Sequence, residues 1–175
     1  MDKILWKIEK LFFEKAFDEL SMEEIWNNLW IKKSSIYYYF QSKEDMFLKV
    51  LSFSYEKYKI FLENILKEDN HIEIIKTLIT YPYEEKNLFS VVLQRGYCRI
   101  ESVKSFISEK IFEIQQIFYE KIWLKYGLSQ EKLVILRSVI EDLSKKYCIL
   151  KCPSKLEFEK IVEEIAEIFF KSKAN

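Results

Sequence analysis

Glycine and proline are nearly missing from this chain, with two of each in 175 residues. Tight turns, hairpins and β-bulges draw on those residues for backbone conformations that others resist, so a sheet-rich fold or a flexible linker has little material here. Histidine is scarcer still. His71 stands alone beside an expected N-cap, which leaves nothing for His-centred catalysis or a His-rich metal site. No Gly-rich phosphate loop occurs. Of the three cysteines, Cys148 and Cys152 lie four apart around an expected helix end and Cys98 lies far away. They read as reduced structural thiols, and neither metal nor cofactor is expected. Every apolar stretch is broken by charge within several residues, so no signal peptide or span of membrane length is visible. The expectation is a soluble, cytoplasmic chain with no membrane contact and no enzymatic activity. An excess of one charge is absent too, with 28 basic and 28 acidic side chains.

What remains is 49% hydrophobic and 17% aromatic. With so few turn formers, that composition predicts an all-α protein. Residues 21–47 carry the sharpest signals. Ser21 with Glu24 three positions on is a capping box that starts a helix, with Met22, Ile25 and Leu29 on one face. Ile31 is the apolar residue of a tight connection, and Ile36, Tyr39 and Phe40 form the buried face of a second short helix. Lys32, Lys33, Ser34, Ser35, Tyr37 and Tyr38 are left at its N-terminus and outer face, where they suit phosphate oxygens and base edges. Ser42 with Asp45 caps the next helix and sets Lys43 in its first turn. A cation there opposes the helix dipole, which predicts an anionic partner outside the fold. This is the layout of a helix-turn-helix, whose second helix enters the DNA major groove.

Over residues 4–51 the chain resembles the TetR family of one-component transcriptional regulators. The resemblance rests on Lys33-Ser34-Ser35-Ile36-Tyr37-Tyr38-Tyr39-Phe40 and Ser42-Lys43-Glu44, with Ile8, Leu11, Phe12 and Phe17 at core positions of the first helix. It implies a recognition helix from Lys32 to Tyr38, phosphate contacts from Tyr37 and Lys43, and a place for Ser21 in the DNA-binding set. Three positions depart from the family pattern. Ala16 stands where Gly is usual before Phe17, Trp26 where Ala is usual after Ile25, and Trp30 at the turn position that normally holds Gly. A positive φ is costly for a bulky residue, so Trp30 implies either strain or a reshaped turn. The expectation is that its ring packs over the motif and is largely buried. Residues 1–50 carry eight lysines against nine acidic side chains, with no basic arm before the first helix. Non-specific DNA binding is therefore expected to be weak.

Six more helices are expected beyond the head. They run from Ser42 to about Leu66, from Asn70 to Tyr81 at Pro82, and from about Glu84 to Arg95, stopping at Gly96. A long helix from Val103 to Tyr126 ends at Gly127 in a left-handed cap. Ser129 opens another, with Leu133, Leu136, Ile140, Leu143 and Tyr147 on one face, and the pair Ser154 and Glu157 opens the last after Pro153. The division expected is a helix-turn-helix head at 1–47 and a helical body for ligand binding and dimerisation at 48–175.

Phe158, Ile161, Val162, Ile165, Ile168 and Phe169 form a broad stripe in the last helix that serves either the subunit's own core or a partner. The resemblance favours a homodimer built on the last two helices. Tyr58, Phe61, Phe89, Leu93, Tyr97, Phe112, Tyr119 and Trp123 are candidates to line a cavity for a small apolar or aromatic effector, and each also fits ordinary core. Arg95 or Arg99 suits an acidic effector. The expectation is a ligand-released repressor that binds palindromic double-stranded DNA as a homodimer. The rival is an adaptor of the same fold that has lost sequence-specific DNA binding and works through protein contacts.

Overall fold

The computed structural model describes residues 1–30, 33–95, 99–150 and 153–170, with the backbone alone at 33, 94, 95, 119, 123 and 124. Expectations for Ile31, Lys32, Gly96, Tyr97, Cys98 and Cys152, and for the side chains of Lys33, Arg95, Tyr119 and Trp123, lie outside the described residues.

Among the described residues every regular element is helical, as the shortage of glycine and proline implies. The order is α1 (Asp2–Glu14), a 3-10 turn (Phe17–Glu19), α2 (Met22–Leu29), α3 (Lys33–Tyr39), α4 (Lys43–Ile65), α5 (His71–Glu84) and α6 (Leu88–Arg95). Then come α7 (Glu101–Phe118), extended by a π turn (Tyr119–Trp123) and Leu124–Tyr126, α8 (Gln130–Cys148) and α9 (Lys155–Phe170). The predicted start signals form. Ser21 Oγ accepts from the Glu24 N–H at 3.1 Å while the Ser21 N–H donates to the Glu24 carboxylate at 2.9 Å. The hydroxyls of Ser42 and Ser129 cap α4 and α8 from the Asp45 and Lys132 amides, and Asn70 Oδ1 accepts from Ile72 and Glu73. Ser154 and Glu157 repeat the box at α9. Each cap supplies acceptors for amides that have no partner inside the helix. Gly127 closes the α7 extension at φ +63°, as its left-handed cap requires.

Helix bounds and burial differ in places from expectation, with α6 starting at Leu88 rather than near Glu84. Helix α5 continues through the buried Pro82 to Glu84. The proline sits in the last turn, where its missing N–H withdraws one helical bond and the Glu85 amide still reaches Tyr81 O at 3.1 Å. The long helix is also less central than its sequence suggests. Val103, Ile114 and Ile122 are buried, Ile107, Ile111 and Phe118 are half-buried, and Phe112 is 62% exposed.

The chain forms two compact units, Met1–Tyr58 with Lys86–Ile107, and Lys59–Glu85 with Ser108–Asn175. The unit that holds the expected 1–47 head is thus larger than that head. Leu88, Val92 and Val103 join Ile8, Phe12, Ile25, Ile36, Phe40 and Phe47 in one hydrophobic core. A buried polar junction adds to it. Glu9 of α1 is 2% exposed, pairs with Lys57 of α4 at 2.5 Å, and accepts from the Leu88 N–H that opens α6 at 3.3 Å. Asn87 donates to Ser54 O, and Ser54 Oγ accepts from the Phe89 N–H, both at 2.9 Å.

In the second unit Ser144 Oγ of α8 donates to Ile79 O of α5 at 2.6 Å, and Tyr147 stacks on Phe158 with centroids 3.8 Å apart. Phe158, Val162, Ile165 and Ala166 are buried within this unit. The α9 stripe expected at a dimer interface is therefore mainly intrasubunit core. Ile161 and Phe169 are half-buried, and Ile168 alone of the named stripe is exposed, at 68%.

Candidate nucleic-acid interface

Ile25 and Leu29 of α2 and Ile36 and Phe40 of α3 are buried, and they hold the two short helices against the core of the first unit. Ile36 and Phe40, four apart on one helical face, leave Ser34, Tyr37 and Tyr38 outward. Tyr38 is 83% exposed and Ser35 half-buried. Tyr39, expected in the buried face, is instead exposed at its edge and meets Tyr38 edge-on at 5.0 Å. Tyr37 lies 6.4 Å, centroid to centroid, from Trp26. The position where small Ala was the expected pattern thus supplies a ring that borders a candidate phosphate ligand. The Ser21 hydroxyl is occupied by the capping box and donates to Glu24 at 3.0 Å.

Trp30 reshapes one expectation and overturns another. Its backbone does adopt the left-handed conformation of the usual turn glycine, at φ 56° and ψ 36°, as the C-cap of α2. Its ring does not pack over the motif: the residue is 94% exposed. Strain at a bulky left-handed residue is of order 1–2 kcal/mol, and this ring gains no burial within its own unit to offset it.

Four described lysines of the head are engaged at home. Lys43 Nζ donates to Phe17 O at 2.9 Å and Leu20 O at 3.2 Å and lies 4.1 Å over the Phe17 ring. The partner predicted outside the fold is thus met by two carbonyls inside it. An ammonium has three donors, so one N–H remains for a phosphate oxygen. Lys15 pairs with Glu24 and Lys49 with Asp45, each at 2.9 Å. Lys49 also donates to Tyr39 O, and Lys10 lies 3.5 Å over Trp6. The Lys15 hydrogen bond, followed by donation from the Ser21 amide and hydroxyl, pulls the Glu24 carboxyl down to about 2. The Lys49 bond lowers Asp45, and Glu24 in turn raises Lys15. The sequence shows these residues, but their pairings, nine positions apart for Lys15 and Glu24, follow from tertiary placement.

The proposed effector set is divided. In the first unit Phe89 is buried, with Tyr55 at 5.1 Å and Tyr58 at 6.0 Å between ring centroids, and Leu93 is half-buried. In the second unit Phe61 stacks on Tyr81 at 3.6 Å. Phe112 lines an open groove of about 450 Å³ between α7 and α8, together with Gln116, Phe118, Leu133, Val134 and Arg137. Arg99 is exposed. No group of three or more His, Cys, Asp or Glu side chains that could hold a metal occurs among the described residues, and no described helix is long and apolar enough to cross a membrane.

An all-helical chain with this head belongs to the helix-turn-helix class of DNA-binding proteins. Residues 4–50 match the family described as bacterial regulatory proteins, tetR family. The chain is 28% identical over 166 residues to the HTH-type transcriptional regulator YuxN of Bacillus subtilis, covering 91% of this chain and 56% of YuxN. It is 25% identical to IcaR of Staphylococcus epidermidis, the HTH-type negative transcriptional regulator of the biofilm operon icaADBC, over 97% of this chain and 98% of IcaR. The chain thus spans little more than half the length of one of these relatives and nearly all of the other. Among solved structures, a transcriptional regulator of Aquifex aeolicus superposes with a TM-score of 0.69 at 24% identity, covering 96% of this chain and 98% of that one. FadR of Bacillus subtilis in complex with stearoyl-CoA superposes at 0.70 with 17% identity, covering 97% of each. The family match thus covers the head, residues 4–50, and over nearly its whole length the chain is similar to these regulators at 25–28% identity.

Proposed function

We propose that this chain is a ligand-released repressor that acts as a homodimer on a palindromic operator. The observation that carries the DNA-binding part is the outward face of α3, where Ser34, Tyr37 and Tyr38 project while Ile36 and Phe40 anchor the helix from behind. Phosphate contacts are assigned to Tyr37 and the remaining Lys43 donor, while Ser21, whose amide and hydroxyl both donate to Glu24, sets the start of α2 beside them. Base readout is assigned to the outer face of α3, with Lys32, Lys33 and Ser35 retained from the sequence reading. Two such heads must present their helices about 34–36 Å apart to enter successive major grooves.

A second copy is the proposed cover for exposed apolar side chains on and beside the last two helices. Ile135 and Ile149 are about half exposed, and Leu150, Leu156 and Ile168 are 64–69% exposed. Exposed apolar side chains of this kind are what an association surface would cover. The groove at Phe112, Leu133 and Val134, with Arg137 at its side, is the proposed seat for an apolar effector with an acidic end. Effector binding there would favour an arrangement of the heads that no longer fits DNA, and a coupling of about 1–3 kcal/mol is typical. The negative regulator IcaR supports the repressor sign.

A mobility-shift assay on the DNA immediately upstream of the chain's own gene tests the reading. Specific retention that unrelated duplex cannot compete away supports it. No retention there, or on duplexes selected from a random library, defeats it. The adaptor reading keeps one observation in its favour, the bare Trp30 on a head with no basic excess, and the same assay separates the two.

A further inference from the structure

Trp30 combines two costs that the chain itself does not offset. A non-glycine residue is held left-handed at φ 56°, and its large apolar ring is 94% exposed. Strain that persists at a bulky residue is a pointer to function. The place of the residue says what covers it. Its N–H closes the end of α2 onto Asn27 O, and three residues later α3 begins, carrying Ser34, Tyr37 and Tyr38 outward.

The charge distribution narrows the partner's chemistry. Around this face Lys15, Lys43 and Lys49 already bond to Glu24, to backbone carbonyls and to Asp45. These three lysines are thus partly spent within the head, which gives neutral donors a place at the phosphates beside the charged ones. An indole is one such neutral donor, since its N–H donates and the ring offers no competing acceptor. Its faces pack well on the apolar C–H surface of a sugar.

We propose that Trp30 is an uncharged DNA-backbone anchor. Its ring lies against a deoxyribose at the edge of the major groove, with its N–H on the adjoining phosphate oxygen. The inference rests on the DNA-binding reading above and adds a positioning residue to it. A backbone contact of this kind fixes register without reading sequence, and because no cation is involved it releases no counterion.

The test uses the full-length chain and two fluorescent duplexes, one selected by the wild type from a random library and one of scrambled sequence. Trp30→Gly restores the residue that tolerates positive φ, so folding should be unharmed and the melting temperature unchanged or higher. Affinity should nonetheless fall about tenfold, about 1.4 kcal/mol, on both duplexes, with the slope of log K against log salt unchanged. Trp30→Phe, which keeps a ring and loses the N–H, should lie between. The proposal is overturned if Trp30→Gly binds both duplexes like the wild type, if its loss is confined to one base-pair variant, or if the melting temperature falls along with affinity. Those results leave DNA binding by the chain intact. A wild type that retains no duplex at all defeats the DNA-binding reading and this inference together.

Discussion

Replacing Lys57 with Met would strip the cation from a carboxylate that has almost no water. Glu9 is 2% exposed, its closest partner is Lys57 Nζ at 2.5 Å, and its other recorded donor is the Leu88 amide at 3.3 Å. Breaking one side of a buried pair typically costs 3–5 kcal/mol, because the remaining charge is left uncompensated. Lys57 keeps about a third of its side-chain surface in water, which lets solvent screen the vacancy and places the expected loss near the lower bound, about 3 kcal/mol. Methionine keeps a stem of similar length and removes only the ammonium, which also lies 5.0 Å over the Phe53 ring, so the loss reports charge rather than volume. The decisive comparison is Glu9→Gln in the Lys57→Met background. Glutamine carries no charge and still offers an oxygen to the Leu88 N–H, so the double variant should be more stable than Lys57→Met alone, and about 1 kcal/mol below the wild type. Urea unfolding followed by tryptophan fluorescence, at one fixed protein concentration and with equal m-values, measures all of these. A Lys57→Met cost under about 0.5 kcal/mol, or a double variant no better than the single, would refute the reasoning.

Glu24, held at about 2 by Lys15 and the Ser21 donors, has a folded value below its ordinary 4.5. Its capping contribution is therefore present above pH 4.5 and lost as pH falls from there through 2, and a carboxyl NMR titration with a midpoint near 4.5 would contradict the pairing. Lys43→Ala removes the donor to Phe17 O and Leu20 O, so thermal unfolding should show a loss of about 1–3 kcal/mol. If its third N–H holds a phosphate, the salt slope of binding also drops by about one unit per head, and an unchanged slope confines Lys43 to a structural role. Tyr37→Phe should weaken binding about equally on all duplexes, and a loss at one base pair only would make Tyr37 a base reader. Ile135→Glu with Leu156→Glu should give a folded monomer by sedimentation with its helical circular dichroism intact, whereas Ile165→Glu, 6% exposed, should lose several kcal/mol of stability by burying charge. A double variant that remains dimeric would move the interface elsewhere.

Helix starts were readable because caps are local. Ser21, Ser42, Asn70, Ser129 and Ser154 each bond to an amide two or three residues away, so a five-residue window contains the whole interaction. Pro82 shows where a local rule yields. The buried ring of the proline contributes packing, and in a final turn the withdrawn hydrogen bond is one that fraying would weaken anyway. The reach of the head was less visible. Nothing near residue 47 announces that Leu88, Val92 and Val103 complete its core, because the contact joins segments some forty residues apart. Glu9 gave a faint sign, as an acid between Ile8 and Leu11 on the apolar side of α1, and such a residue demands a partner from elsewhere.

Periodicity reports that a helix has an apolar face, and it is silent about which surface that face meets. In α9 the main part of the stripe, Phe158, Val162 and Ile165, is satisfied within its own unit, while Ile168 of the same stripe and Leu156 outside it are left facing out. The family resemblance suggested an interface on this helix, but most of the stripe that the pattern singles out is spent inside the subunit. Trp30 reverses the logic. A residue rich in apolar surface was expected to be packed because most such residues are, but the left-handed backbone it occupies as the C-cap of α2 leaves its side chain outside the core of the head. Exposure there is set by backbone geometry before hydrophobicity has a say. The departure from the family pattern is therefore a surface feature with a cost attached, three residues before the start of α3.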